Sequence, residues 1–150
     1  MLEEIIADMP IFKDFTGKEI EIFADMDHDI SEYKRGATII EEGDCLTSIY
    51  IILKGSVKIV KKVDGRTILL ARLKSGELFG EMAMFSDNRR HSDAVAGDDV
   101  QLLKIDEDFF KNAKPFIVDK MKNHFIELLI NRLDSMNESL MAVSKLMRAK

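Results

Sequence analysis

The middle of the chain, residues 29–106, consists of short apolar runs separated by glycine-bearing turns. The runs lie in the segments ATIIEEGD, SIYIILKGSVKIVKKVDGRTILLARLKSGELFGE and DAVAGDDVQLLKID. Turns spaced by roughly 10 residues are typical of a small antiparallel barrel or sandwich and not of parallel strand–helix–strand units. The dipeptide Asp64-Gly65 suits a tight turn with positive φ, so it predicts a hairpin between VKIVKKV and RTILLARL. The turns contain Gly36, Gly43, Gly55, Gly65, Gly76 and Gly97.

Helical patterns flank this β region on both sides. Residues 2–26 predict two short amphipathic helices, and Thr16 with Glu19 forms the signature of a capping box at the start of the second. After Asp106 a short helical segment, EDFFKNA, precedes a long one that runs from Pro115 nearly to the chain end.

The long C-terminal segment carries two apolar stripes. Its first stripe consists of Val118, Met121, Phe125 and Leu128, and we expect this part to pack on the barrel of the same chain. The second stripe has the alternating three- and four-residue spacing of a heptad repeat, which predicts pairing with another helix. A homodimer is the simplest interpretation; folding back on the same domain or contact with a different chain are alternatives. The second stripe is Ile126, Leu129, Leu133, Met136, Leu140, Val143 and Met147.

Composition excludes several classes of protein. The net charge of −5 argues against direct DNA binding by the whole surface. The acidic N-terminus is unlike a secretory signal, and no apolar run approaches the roughly 20 residues that span a bilayer, so we expect a cytoplasmic protein with no membrane partner. The single cysteine, Cys45, and the widely separated His28, His91 and His124 predict no metal site and no catalytic residues.

The stretch GELFGEMAMFSDNRRHS, residues 76–92, has the residues of a sugar-phosphate site. Glycines let the backbone approach a ligand closely, and a short helical turn after them presents free N–H groups to an anion. Arg90 could hold the same anion with its guanidinium, whereas Glu81, which only accepts hydrogen bonds when ionised, suits a sugar hydroxyl. A salt bridge between Glu81 and Arg90 that closes a loop fits the spacing equally well.

Several motifs together resemble the cyclic nucleotide-binding domain family. FGEMAM at residues 79–84, followed by a loop and Arg90-His91-Ser92, is similar to the family's phosphate-binding cassette. IIEEGD at residues 39–44 and IYIILKGSVKI at residues 49–59 resemble its first glycine turn and its strand pair. The resemblance covers nearly the whole chain and implies a mainly β fold. That fold is a double-stranded β-helix, or jelly-roll barrel, with N-terminal helices and a long C-terminal helix.

The resemblance also implies an organisation and a ligand. It implies one domain over residues 1–150, with helices in 1–28, the barrel in 29–106, the cassette in 76–92, and lid and dimerisation helices in 107–150. Cyclic AMP or cyclic GMP would bind with its ribose 2′-hydroxyl on Glu81 and its phosphate on Arg90, and no cofactor is implied. Arg89 is a possible alternative to Arg90 in the alignment. Further ligand-binding positions implied are Gly80, Met82, Ala83, His91, Ser92, Ser135 and Asn137.

The function implied is a non-catalytic cyclic nucleotide sensor that shifts its C-terminal helix and acts on an unknown effector protein. His91 stands where the family often has Ser or Thr, which leaves the preferred base open. One alternative is a Crp/Fnr-type transcription regulator that lacks its helix-turn-helix here. Another is a degenerate domain that serves only in protein interaction.

Overall fold

The computed structural model describes residues 1–45, 47–81 and 90–148 of the chain. Antiparallel β-strands occupy its middle and helices lie on either side in sequence, which confirms the predicted fold class. Before the strands come α1 (Leu2–Ile6), a 3-10 turn (Pro10–Phe12) and α2 (Gly17–Asp25). The strands are β1 (Asp29–Tyr33), β2 (Thr38–Ile40), β3 (Ile49–Lys54), β4 (Ser56–Val63), β5 (Arg66–Lys74), β6 (Leu78–Phe79), β7 (Asp93–Ala96) and β8 (Val100–Ile105). Two helices follow, α3 (Glu107–Asn112) and α4 (Pro115–Arg148).

The strands form two four-stranded sheets, with the orders β1-β8-β3-β6 and β2-β7-β4-β5. Each recorded pairing within them is antiparallel. The predicted hairpin joins β4 to β5, where Val63 pairs with Arg66 across the turn. Asp64 and Gly65 have φ angles of 51° and 76°, the left-handed conformation that this two-residue turn requires. The hairpin prediction is therefore confirmed.

Strand β3 separates two hydrophobic clusters because alternate side chains point to opposite faces of a strand. Tyr50 and Ile52 belong to a cluster between the two sheets, whereas Ile49, Ile51 and Leu53 belong to a larger one beneath the helices. This double burial explains why the strand reads as a continuous apolar run in the sequence.

Several interactions hold the N- and C-terminal helices, which form a helical layer, against the larger cluster. Helix α2 begins with the predicted capping box, in which Thr16 accepts from the amide of Glu19 and Glu19 accepts from the amide of Thr16. In α4, Ile117, Met121 and Phe125 are fully buried. The helix is also tied to the N-terminal segment, because Lys120 forms an ion pair with Glu19.

The remainder of α4 projects without cover from the described part of the chain. Burial of Met121 and Phe125 confirms that the helix begins on its own barrel. The alternative in which the whole helix folds back on the same domain is wrong, because the second stripe is largely exposed. Its exposed fractions are Ile126 55%, Leu133 59%, Met136 61%, Leu140 66%, Val143 52% and Met147 73%, while Leu129 is half-buried.

Candidate ligand-binding site

A cavity of about 600 Å³ lies between the inner face of the sheet β2-β7-β4-β5 and helix α4. This volume is in the ordinary range for small-molecule sites. Seven of its 14 lining residues are apolar and six carry charged or polar side chains, so it suits a ligand that is part apolar and part charged. The apolar lining residues are Ile40, Ile59, Ala71, Leu73, Phe79, Ala94 and Leu128. The remaining ones are Glu77, Gly80, Glu81, Arg90, His91, Ser92 and Arg132.

Arg90 is a buried cation, with only 5% of its surface exposed. Its Nη1 donates to the carbonyl of Gly80 and its Nη2 to the carbonyl of Ser48, both at 2.6 Å. Its own backbone is also held, since its amide donates to Asp44 and its carbonyl accepts from Gly43. Burial lowers the pKa of the Arg90 guanidinium from its usual value. An arginine is always protonated in proteins, so this site holds a fixed positive charge.

Gly80 makes this placement of Arg90 possible. Its φ of 90° is a conformation that L side chains rarely adopt. A Cβ atom at this position would lie 2.8 Å from the carbonyl oxygen of Ser48 and 2.9 Å from Nη1 of Arg90. Any side chain at position 80 would therefore displace the guanidinium or the backbone that holds it.

Glu81 is paired with a residue from a distant part of the chain. It is 1% exposed, and its Oε1 forms an ion pair with Nη1 of Arg132 in helix α4. Burial lowers the pKa of the Arg132 guanidinium, while the neighbouring Glu77 acts in the opposite direction. The salt bridge between Glu81 and Arg90 that the spacing allowed is not the one observed. Glu81 instead links the cavity wall to the long helix.

The cavity brings together five of the nine sequence-predicted ligand residues: Gly80, Glu81, Arg90, His91 and Ser92. His91 is exposed, and its backbone carbonyl accepts from Lys61 at 2.7 Å. The other four do not add to the described lining. Met82 and Ala83 lie outside the described residues, as does the alternative arginine, Arg89. Ser135 and Asn137 are exposed on α4 and do not line the cavity.

Glu77, Arg132 and Ser48 contribute to the site and were not among the predicted ligand residues. Arg132 stands four residues after Leu128, on the side of α4 that faces the barrel. A cation that continues the first apolar stripe of this helix is the sequence signal by which it could have been predicted. Ser48 contributes a backbone carbonyl to Arg90, and a main-chain acceptor leaves no trace in residue type.

The residues that line the cavity suit three kinds of chemical group. A buried guanidinium suits phosphate, a carboxylate suits hydroxyl groups, and the apolar walls suit a flat ring. In the part of the chain that the structure describes, no group of three or more His, Cys, Asp or Glu side chains could hold a metal ion.

The chain is similar to known regulators of one family. The model of the cyclic nucleotide-binding domain matches residues 30–114. The CRP-like cAMP-activated global transcriptional regulator of Mycobacterium tuberculosis is 29% identical over 144 residues, which is 93% of this chain and 62% of that protein. Human cGMP-dependent protein kinase 2 is 35% identical over 85 residues, 55% of this chain and 11% of the kinase. The crystal structure of Thermus thermophilus catabolite activator protein superposes with a TM-score of 0.77 and 26% identity, covering 90% of this chain and 63% of that one.

These matches, with the fold and the cavity, define a class of small-molecule-binding regulatory domain. The chain belongs to the cyclic nucleotide-binding domain family, as the sequence motifs indicated. It is a cyclic nucleotide-binding domain homologous to catabolite-activator and protein-kinase-A regulatory domains, and these relatives are regulatory modules. The chain spans 62% of the length of the mycobacterial relative. Among the described residues, no helix combines the length and the apolar character needed to cross a membrane.

Proposed function

We propose that the chain is a non-catalytic sensor in which cyclic AMP or cyclic GMP binds in the cavity and changes the position of helix α4. The observation that carries the proposal is that a buried carboxylate, Glu81, and a buried guanidinium, Arg90, line the same cavity. A cyclic nucleotide combines an anionic phosphate, a ribose hydroxyl and an apolar base, the groups that this lining suits.

The phosphate would take the hydrogen-bond donors of Arg90 that the protein leaves over. A guanidinium has five N–H donors, and Gly80 and Ser48 accept only one from each Nη. Nε is buried and has no hydrogen-bond partner among the described residues. An unmet buried donor costs about 1–3 kcal/mol, so a phosphate that accepted from it would recover that free energy.

The ribose would act at the junction between the cavity and the helix. Glu81 already contacts Arg132, so a hydroxyl that donates to Glu81 would compete with this ion pair or extend it. A ligand shifts a conformational equilibrium by its difference in affinity for the two states. The Glu81–Arg132 contact therefore gives the nucleotide a direct route to the position of α4.

The exposed stripe of α4 would pair with the same stripe of a second copy. Side chains such as Leu133 and Leu140 are each more than half exposed. About three heptads of apolar residues suffice for a short coiled coil. A homodimer would place a pair of α4 helices between two nucleotide sites, so both sites would act on one shared element. The effector that reads this element stays a prediction.

Calorimetric titration tests the proposal with three ligands: cyclic AMP, cyclic GMP and 2′-deoxy cyclic AMP. At least one of the first two should bind the wild-type chain. If the base is adenine, removal of the 2′-hydroxyl should weaken binding by roughly 10-fold or more, because hydrogen bonds to charged groups contribute about 1.5–3 kcal/mol. No binding of either cyclic nucleotide would contradict the sensor function.

Arg90→Lys tests the phosphate contact while keeping the charge. Lysine lacks the planar fork, so we expect binding to weaken by roughly 100-fold. The matched control is Arg66→Lys, because Arg66 is exposed at the start of β5. Thermal melting of both variants separates loss of binding from loss of folding. Equal affinity in Arg90→Lys and wild type would remove Arg90 from the site.

A further inference from the structure

The cations of the chain are concentrated in its central hairpin. Between residues 54 and 74 lie seven of the 22 Lys and Arg residues and one of the 27 acidic residues, so this segment is strongly basic in a chain of net charge −5. Carboxylates cluster elsewhere. Asp25, Asp27, Asp29, Asp106 and Asp108 line a separate cavity beside β1 and α3. The hairpin is therefore basic, and this carboxylate cluster, which we call the acidic side, lies beside the other sheet.

Strand register places the basic side chains on one face of the hairpin. Val57 pairs with Leu73, and both pack in the cluster between the sheets. Their neighbours, Lys58 paired with Arg72 and Ser56 paired with Lys74, must then point to the opposite face, because side chains alternate along a strand. The same face of β4 continues with Val60, which pairs with Leu69, and with Lys62, which pairs with Thr67. Leu70 has no partner in this register and is exposed beside Leu69. We call Lys58, Lys62, Arg72, Lys74, Leu69 and the adjoining Leu70 the basic face.

The basic face is not explained by the folding of the chain. Lys58 and Arg72 stand directly opposite each other, and like charges in that position destabilise a sheet. No described carboxylate forms an ion pair with Lys58, Lys62, Arg72 or Lys74. Lys61, on the other side of β4, does have such a partner in Glu42 at 3.1 Å.

Protection of a sheet edge explains only part of the pattern. β5 ends its sheet, and charged side chains on an edge strand discourage pairing with other chains. Lys58, however, lies where β4 pairs with β7 as well as with β5, away from the sheet edge. Apolar side chains also remain exposed on the edge strand, with Ile68 at 44%, Leu69 at 45% and Leu70 at 54%. Cations beside exposed aliphatic groups are the composition of a surface that contacts anionic lipid.

We propose that the basic face of the β4–β5 hairpin docks on an anionic lipid surface. The phosphate and carboxylate groups of the lipids would neutralise the cations, and Leu69 and Leu70 would insert among the headgroups. Each Lys or Arg held near such a surface contributes about 1 kcal/mol, so the four cations together with partly inserted leucines give reversible binding. Binding at the surface needs no spanning helix, so the lack of a long apolar run does not argue against it; the proposal departs from the sequence-based expectation that no membrane is a partner.

Anionic lipid fits the basic face better than an acidic protein or a nucleic acid does. Three of the four cations are lysines, which act as mobile point charges and suit a diffuse field of headgroups more than a fixed bidentate partner. The exposed leucines find apolar cover in a bilayer but not along a phosphate backbone. The acidic side belongs to the other sheet and the helices. At physiological salt its repulsion is screened over about 8 Å, so an oriented chain binds despite its net negative charge.

Vesicle co-sedimentation of the full chain tests the proposal. The vesicles are phosphatidylcholine alone, or phosphatidylcholine and phosphatidylserine at about 3:1, each at ~0.1 M and ~1 M salt, where the Debye length falls from about 10 Å to about 3 Å. We expect binding to the serine-containing vesicles at low salt only. Lys62→Gln/Arg72→Gln should lower the partition coefficient roughly 30-fold, at about 1 kcal/mol for each cation removed.

A matched pair of substitutions serves as the control. Lys114→Gln/Lys122→Gln removes the same charge from exposed positions in the helical layer and should bind as wild type does. Leu70→Gln should weaken binding without changing its salt dependence. An equal loss in both double variants would overturn the proposal, as would binding to neutral vesicles alone or no binding to either. Tighter binding at the same salt to poly-glutamate or to duplex DNA would assign the face to protein or nucleic acid instead and also overturn it.

Discussion

The two parts of helix α4 have the same apolar periodicity but opposite surroundings. In the first part, Ile117, Met121 and Phe125 are within 1% of full burial. In the second, Leu133 is 59% exposed and Leu140 is 66% exposed. Periodicity therefore specifies a helix and its apolar stripe, but not what covers the stripe. The contrast predicts that the first part stabilises the fold and the second part acts between molecules.

The largest difference is expected from truncating one side chain in each part. Phe125→Ala leaves a cavity in the core and should lower the free energy of unfolding by about 3–5 kcal/mol. Leu140→Ala, at a concentration where the chain is monomeric, should change it by less than about 0.5 kcal/mol. Urea denaturation measures both. Equal losses in the two variants would mean that the second part packs on its own chain.

Leu133→Glu isolates the proposed pairing of the second part. A carboxylate buried without a partner in each of two helices should weaken dimerisation by ~100-fold or more. Sedimentation across a range of concentrations measures the change. Ala142→Glu places the same charge on an exposed position outside the stripe and should leave the dimer intact. A wild-type chain that sediments at 17.1 kDa at every concentration would remove the dimer altogether.

Arg132→Gln acts at the boundary between the two parts. It leaves Glu81, which is 1% exposed, without its cationic partner, and we expect a loss of about 1–3 kcal/mol in the free energy of unfolding. Nucleotide binding should then stabilise the helix less than it does in wild type. Hydrogen exchange of α4 amides with and without ligand measures this coupling. An unchanged ligand effect would show that the helix responds through other contacts.

The smallest effect concerns the pH dependence of the ion pair between Lys120, in the first part of α4, and Glu19. Lys120 lowers the pKa of Glu19, chiefly through its hydrogen bond, and the amide of Thr16 adds to the shift. The stabilisation is present above about pH 4.5, the ordinary value for this carboxyl, and is lost as pH falls through the lower pKa of the folded state. Lys120→Met should therefore reduce the acid-induced fall in melting temperature. Lys122→Met, at an exposed position in α4 as well, should leave the profile as in wild type.

Local signals explain why so much of the fold was predictable. The Thr16–Glu19 capping box, the Asp64-Gly65 turn and the start of α4 at Pro115 each depend on a few neighbouring residues. The arrangement of strands into two sheets depends on pairings such as that of β1 with β8, far apart in sequence. Those pairings came from resemblance to a family and not from periodicity.

The site was predictable in part. Residue type left a salt bridge between Glu81 and Arg90 open, and the resemblance to the family singled both out as ligand residues; the structure places both in the cavity lining. The residues that contact Glu81 and Arg90 could not be predicted from the sequence. Arg132 contacts Glu81 because helix α4, which begins after the last strand, passes the cavity. Ser48 contributes only its backbone carbonyl. Ser135 and Asn137 were chosen by position along that helix, and the structure places them outside the cavity lining.

Amide hydrogen exchange in strand β3 offers a way to measure the affinity of the domain for a ligand. It pairs with β8 on one side and β6 on the other, and its two faces are covered by separate hydrophobic clusters. Amides in such a strand exchange with deuterium only when the whole domain opens. A ligand that binds only the folded state lowers the equilibrium constant of that opening, and with it the exchange rate, by the factor 1 + [L]/Kd. The exchange rate of Ile51 or Ile52 would thus give the nucleotide's dissociation constant without a label. This holds although, among the described residues of the helix-facing cluster, only Leu128 at its margin lines the cavity.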